Sequence, residues 1–247
     1  MPLRALLLAL CCLSGLAHAA PDNSDAKPRK AYFTLIIDDL GQNQPRDSRA
    51  LALPGPVTLA VMPDTPHAAD FARQAHKAGK TVIVHMPMDE LRTRLQAALK
   101  ALPYAAGMNN HEGSKMTSQP EAMAMLMGEL QARSLFFVDS RTSAATVAAA
   151  EAQRIGLAHV SRDVFLDDVR TTEAITGQLQ QGIALARKQG SAVLIGHPYP
   201  QTLEMLERAL PQLKAQGIEL IRLSQMIAVR SNQAMPGHGK NGRYTNR

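Results

Sequence analysis

The sequence predicts a single-domain α/β fold, a deformed (β/α) barrel of about seven parallel strands, with an open doubly wound sheet as the alternative. Three observations carry that expectation. Short runs of Val, Ile and Leu alternate with longer segments of helical spacing from about Tyr32 to Val229. The runs are apolar throughout rather than every second residue, as strands covered on both faces must be. Acidic residues and histidines stand at the C-terminal ends of these runs, which in a parallel barrel share one face.

Strand one is expected over Tyr32–Ile37, leading into Asp38-Asp39-Leu40-Gly41. Arg46–Leu53 reads as a short helix stopped by Pro54-Gly55-Pro56. Val57–Met62 is a strand closed by Pro63-Asp64. Pro66–Lys77 is amphipathic, with Ala68, Phe71, Ala72 and Ala75 on one face and Gly79 after its end. Thr81–Val84 is a strand delivering His85, and Glu90–Leu102 a helix. Gly107–Lys115 is polar and bounded by glycines, so it reads as a loop in which Asn109 and Asn110 hold left-handed turn positions. Gln119–Arg133 is a helix whose Met123, Met127 and Leu130 stripe fills core. Leu135–Val138 is a strand ending in Asp139-Ser140-Arg141, and Ser143–Ile155 an Ala-rich helix. Ala158–Val160 leads to Arg162-Asp163; Thr172–Gln189 is a helix stopped by Gly190. Ala192–Gly196 delivers His197-Pro198, Thr202–Gln216 is a helix, Ile218–Ile221 the last strand and Leu223–Val229 a terminal helix.

The two ends read differently. Arg4, the apolar stretch Leu6–Leu16 and the small-x-small triplet Ala17-His18-Ala19 form a cleavable signal over residues 1–20, which implies export to a periplasm. Its apolar core is too short to span a bilayer, so no stable membrane span is expected after cleavage. Cys11 and Cys12 also permit a lipoprotein reading, but Leu10 is bulkier than the small residue such a site wants. Both cysteines leave with the signal, so the mature chain has neither disulfide nor thiolate chemistry. Residues 21–30 are a polar linker, the barrel occupies 31–230, and 231–247 is a disordered basic tail.

About 225 residues remain after the signal, enough for one large core. The net charge is +6 and there is no Trp, so a base-stacking nucleic-acid surface is not expected. The diffuse positive charge suits anionic surroundings such as envelope polymers.

Two adjacent carboxylates at a strand end repel each other and are costly beside apolar residues unless water, a metal or a substrate shares them. Asp38, Asp39, Asp64, His85, Asp139, Asp163 and His197 all fall at or just past strand ends. Asp and neutral His with an open coordination position form a common catalytic zinc set. A carboxylate beside the metal accepts a proton from water, and a histidine opposite protonates a leaving group. Asp163 is a candidate partner for such a histidine, whereas Asp167 and Asp168 read as solvated. Asp139 and Arg141 read equally as a structural ion pair. His67, His76 and His159 read as surface or packing residues, and His238 belongs to the tail.

At these residues the sequence resembles the polysaccharide deacetylases of the NodB-homology type. The match is closer to their divergent branch, through Ile37-Asp38-Asp39-Leu40-Gly41, His85-Met86-Pro87-Met88, Asn109-Asn110-His111-x-Gly113-Ser114, Phe137-Val138-Asp139-Ser140-Arg141-Thr142 and Gly196-His197-Pro198. The resemblance implies Asp38 as general base, Asp39 and His85 as metal ligands and His197 as general acid. Asp89 stands where the main family has its second metal histidine, so Asp89 or His111 would supply the remaining ligand. The family's Arg-Pro-Tyr segment has no clear counterpart, and Arg141 would take over its orienting work. Asn110, Asp139 and Asp163 fall to substrate binding or ligand support. The expectation is a divalent metal, most simply Zn2+, and an N- or O-acetylated polysaccharide or peptidoglycan-type substrate. Two rivals remain from the sequence: a glycan-binding envelope scaffold without turnover, and a metal-free glycosidase using Asp38 with Asp139 or Asp163.

Overall fold

A computed structural model describes residues 30–88 and 91–234. The strands are β1 Ala31–Leu40, β2 Thr58–Val61, β3 Thr81–Pro87, β4 Gly107–His111, β5 Phe136–Asp139, β6 His159–Ser161, β7 Val164–Phe165, β8 Ser191–Gly196 and β9 Ile218–Leu220. They form one sheet in the order β6-β5-β4-β3-β2-β1-β8-β7, with β9 also on β1. Every pairing is parallel. This is the expected deformed α/β barrel, curled but not closed between β6 and β7.

Crossovers between parallel neighbours are made by helices. The main ones are α1 Gln44–Ala52, α2 Ala68–Lys77, α3 Leu91–Ala101, α5 Pro120–Ala132, α7 Thr172–Gln189 and α8 Pro200–Ala209. Short α4 (Ser114–Thr117) and α6 (Ala148–Arg154) flank β5, and α9 (Leu223–Ala234) ends the described chain. Thr171 caps α7 by accepting from the Ala174 amide, and left-handed Gly190 stops it, so both ends were legible in the residue types. Helix α9 continues to Ala234, past the expected end at Val229.

Alternation along each strand sorts the core into two layers. Leu35, Ile37, Leu59, Val84 and Leu194 face the surrounding helices. Ile36, Ala60, Ile83, Val138, Val193 and Ile195 face the other way, where Ile221, Leu223, Met226 and Ile227 pack on them. Helix α9 therefore fills the inner face of the curl. Strand β9 pairs with Ala31–Phe33, beside the first half of β1, because β2 pairs only from Ile36 onward.

The polar segment around Asn109 is a strand, not a loop. Met108, Asn109 and Asn110 pair with β3 at Val84, His85 and Met86, and both asparagines are buried. Neither has the left-handed backbone expected for it; that conformation falls on Glu112 and Gly113 just beyond the strand. A buried asparagine is tolerated where its amide is bonded; the partners of Asn109 lie on β1 and β3, and Asn110 reaches Ser140 just past β5, out of reach of a local pattern.

Candidate metal centre

Strand β1 carries Asp38 and Asp39 inside its last turn rather than past its end. In a regular strand they would face opposite ways. The pairing shifts between Ile37 and Leu40, and Asp39 takes a left-handed backbone at φ 58°. An aspartate bears that conformation better than most residues. The bulge lets both carboxylates line one cleft of about 740 Å3 at the C-terminal ends of the strands. Gly41 follows with φ 99°, and a Cβ there would lie 2.4 Å from Thr65 Oγ1, so the chain can leave the bulge only through glycine.

A buried relay sets the protonation pattern. Asn109 Nδ2 donates to Asp38 Oδ1 at 2.9 Å. With the amide so oriented, its Oδ1 accepts from His85 Nδ1 at 2.8 Å. The proton of neutral His85 thus sits on Nδ1, and the Nε2 lone pair points into the cleft. His111 Nδ1 lies 3.0 Å from that nitrogen. Asp39 Oδ1 lies 3.2 Å from His85 Nε2 and 3.2 Å from His111 Nδ1. It is a buried oxygen with no hydrogen bond of acceptable geometry to either.

Three donors so arranged fit a divalent cation and could hold one. Metal bonds of about 2.0–2.2 Å in tetrahedral geometry put ligand atoms roughly 3.3–3.6 Å apart. The observed triangle needs to open by only a few tenths of an ångström, roughly, to accept the ion. Its donor set, one carboxylate and two imidazoles, is that of many catalytic zinc sites. Burial opposes ionisation of Asp39, but the His111 and His85 imidazoles outweigh it and hold its carboxyl well below the usual carboxylate range. Asp38 is different: burial dominates, against the pull of His85, His197 and Asn109, and pushes its carboxyl up.

His197 stands at the end of β8, across the cleft. Its Nδ1 donates to Asp167 Oδ1 at 2.8 Å, and Nε2 is 3.9 Å from Asp39 Oδ2. Asp167 Oδ2 accepts from the His197 amide at 2.7 Å and from Thr202 Oγ1 at 2.8 Å. Burial works against the imidazolium, but the Asp167 hydrogen bond and charge, with Asp38 and Asp39 beyond, raise the His197 pKa.

This corrects the sequence reading twice. Asp167, expected in solvent, is only 2% exposed and is the histidine's partner. Asp163, expected in that role, accepts from the Val193 amide at 2.7 Å and from Arg230 of α9. Strand β7 is two residues long, so the end that matters lies after Phe165, not before Asp163. Asp139 is buried but makes no ion pair with Arg141; it accepts from the Arg141 amide and from Thr146 Oγ1. Asn110 ties two cleft loops, donating to the Glu112 carbonyl and accepting from the Ser140 amide. The Arg141 side chain is exposed at the cleft, so orienting Asp38 falls to Asn109 instead. Asp64 is solvent-facing and pairs with Arg94. Asp89 lies outside the described residues.

Comparison with known proteins places these residues in a family. Over 214 residues the chain is 36% identical to the uncharacterized protein YibQ of Escherichia coli K12, covering 79% of this chain and 67% of that one. Among solved structures it resembles an uncharacterized protein from Agrobacterium tumefaciens C58, with TM-score 0.73 and 18% identity over 80% of this chain and 89% of that one. It shares its fold with the catalytic domain of a peptidoglycan N-acetylglucosamine deacetylase from Eubacterium rectale, with TM-score 0.53 and 17% identity over 80% and 90% of the two chains. Residues 35–227 match the pattern of the divergent polysaccharide deacetylases, and the chain belongs to that family.

Proposed function

We propose that this protein is a metal-dependent deacetylase of acetylated envelope glycans, exported by the leader in residues 1–20. The observation that carries the proposal is the triangle of Asp39 Oδ1, His85 Nε2 and His111 Nδ1, flanked by Asp38 on one side and His197 on the other. Asp39, His85 and His111 would hold a divalent cation, most simply zinc, which would supply Lewis acidity toward an acetyl carbonyl and a water.

The chain's own groups do the rest. Asp38 accepts the proton that water gives up as its oxygen bonds to the acetyl carbon. Asn109 holds the Asp38 carboxylate by one oxygen, leaving the other for this transfer. Asp167 fixes the His197 ring with its Nδ1 proton turned inward, so Nε2 carries the second proton into the cleft. As the C–N bond breaks, that proton passes to the departing sugar nitrogen, giving acetate and a free amine. Asp38 thus takes one proton, His197 gives one, and solvent restores both. Among the described residues no helix is long and apolar enough to cross a membrane.

The test is release of acetate from N-acetylated oligosaccharides by the zinc-loaded protein. Asp38→Asn should lower the rate by about 10²–10⁴-fold, as loss of a general base does, while the protein still binds zinc. Acetate release by Asp38→Asn at the wild-type rate would refute this assignment.

A further inference from the structure

We infer that the cleft carries an anion subsite, formed by Ser140, Arg141 and Arg162 and faced by Arg170, so the preferred glycan bears a carboxylate or phosphate beside its acetylated sugar. This rests on the deacetylase reading and specifies its substrate class. The cleft places these four residues with the metal triangle in one cavity. None of the three arginines forms an ion pair with a carboxylate among the described residues, where eight other Lys or Arg side chains do.

Two of these cations, Arg162 and Arg170, are held by neighbouring groups, while the Arg141 side chain is exposed. Arg162 donates from Nε to the Ser140 carbonyl at 2.6 Å and from an Nη to the Arg141 carbonyl at 2.9 Å. Its guanidinium also lies 5.1 Å from the Phe165 ring centre. Arg170 lies over Tyr199 at 4.0 Å. Ordering such side chains in advance removes much of the entropy cost of binding. Burial, then the nearby Arg141 charge, pushes the Arg162 guanidinium down from its ordinary value, against the opposite pull of Asp139, Asp38 and Asp163.

An independent feature points to a ligand at the same place. Ser140 is 5% exposed, and its Oγ is a buried atom without a hydrogen-bond partner although the residue lines the cleft. Its amide and carbonyl are both engaged, by Asn110 and Arg162, so the residue is fixed while its hydroxyl is spare. A hydroxyl and two guanidinium groups match the oxygens of a carboxylate or a phosphate.

Binding distinguishes this subsite from turnover. The full chain, loaded with zinc, is titrated with three N-acetylated tetrasaccharides of equal length: neutral, carrying a lactyl carboxylate on alternate sugars, and carrying a sugar phosphate. The wild type should bind one or both anionic probes about tenfold or more tightly than the neutral one, the worth of one charge-assisted bond; whichever anion shows the larger gain identifies the source. Arg162→Gln should abolish that difference and leave neutral binding in place. Arg141→Gln and Ser140→Ala, which leave the half-buried Arg162 guanidinium and its carbonyl bonds intact, should each reduce it. Equal affinity for all three probes in the wild type overturns the inference, as does an Arg162→Gln loss falling equally on neutral and anionic glycans, which would mark a structural role. Preferential anionic binding with no acetate released from any probe supports the subsite and counts against the deacetylase reading alone.

Discussion

Replacing Asn109 with alanine cuts the relay that joins the base to the metal site. Two buried hydrogen bonds disappear, one to Asp38 at 2.9 Å and one to His85 at 2.8 Å. A bond to a carboxylate is worth about 1.5–3 kcal/mol, and the stranded His85 N–H costs about 1–3 kcal/mol. Both hang on one side chain, so they do not simply add, and we expect a loss of about 2–4 kcal/mol in stability. For a domain of this size that lowers Tm by about 4–16 °C. The sharper consequence is functional. Without a partner for Nδ1 the His85 ring loses both its tautomer and its aim, and such a loss typically weakens metal binding about 10–100-fold. Burial already pushes the Asp38 carboxyl up, and losing the Asn109 donor pushes it further. Because Asp38 must be ionised to accept a proton, the acidic limb of the rate profile moves to higher pH. Competition against a calibrated chelator measures the first effect and a pH–rate profile the second. Zinc affinity within about twofold of wild type, with an unmoved acidic limb, would refute the relay.

Other expectations follow from the same geometry. Asp167→Asn removes the charge that raises the His197 pKa; activity needing protonated His197 is present below that pKa and lost as pH rises through it, so the alkaline limb should move to lower pH. An alkaline limb that stays put in a pH–rate profile would count against Asp167. Met226→Ala, at a site of 0% exposure where α9 packs on the inner face of the sheet, should cost about 2–5 kcal/mol by denaturant titration. Gly182→Ala should destabilise by about 1–3 kcal/mol despite alanine's better helix propensity, because its Cβ would meet Leu194 Cδ2 at 2.7 Å; a thermal melt settles the sign.

Legibility in the sequence followed the range of the interactions. Strands β1, β2, β3, β5 and β8 are buried on both faces, so their apolar runs declared them. Helix α7 has its cap and stop written in Thr171 and Gly190. Strand β4 was hidden because Asn109 and Asn110 satisfy their amides through Asp38, His85 and Ser140, thirty or more residues away or on a neighbouring strand. The choice between Asp163 and Asp167 was beyond local pattern for a related reason. Both follow short apolar stretches, and only the pairing of Val164 with Leu194 and Phe165 with Ile195 decides which aspartate reaches His197. The acidic pair itself was conspicuous, but the bulge that turns both carboxylates the same way depends on β1 switching register against β2. The spare Ser140 hydroxyl left no sequence signal at all.

The chemistry proposed for the cleft depends on Asp39, His85 and His111 holding one divalent metal. Elemental analysis of the purified protein after incubation with zinc and removal of the free ion measures this, with His85→Ala and His111→Ala alongside. Close to one zinc per chain is expected in the wild type and little in either variant. No bound metal in the wild type, or full occupancy in both variants, would contradict it.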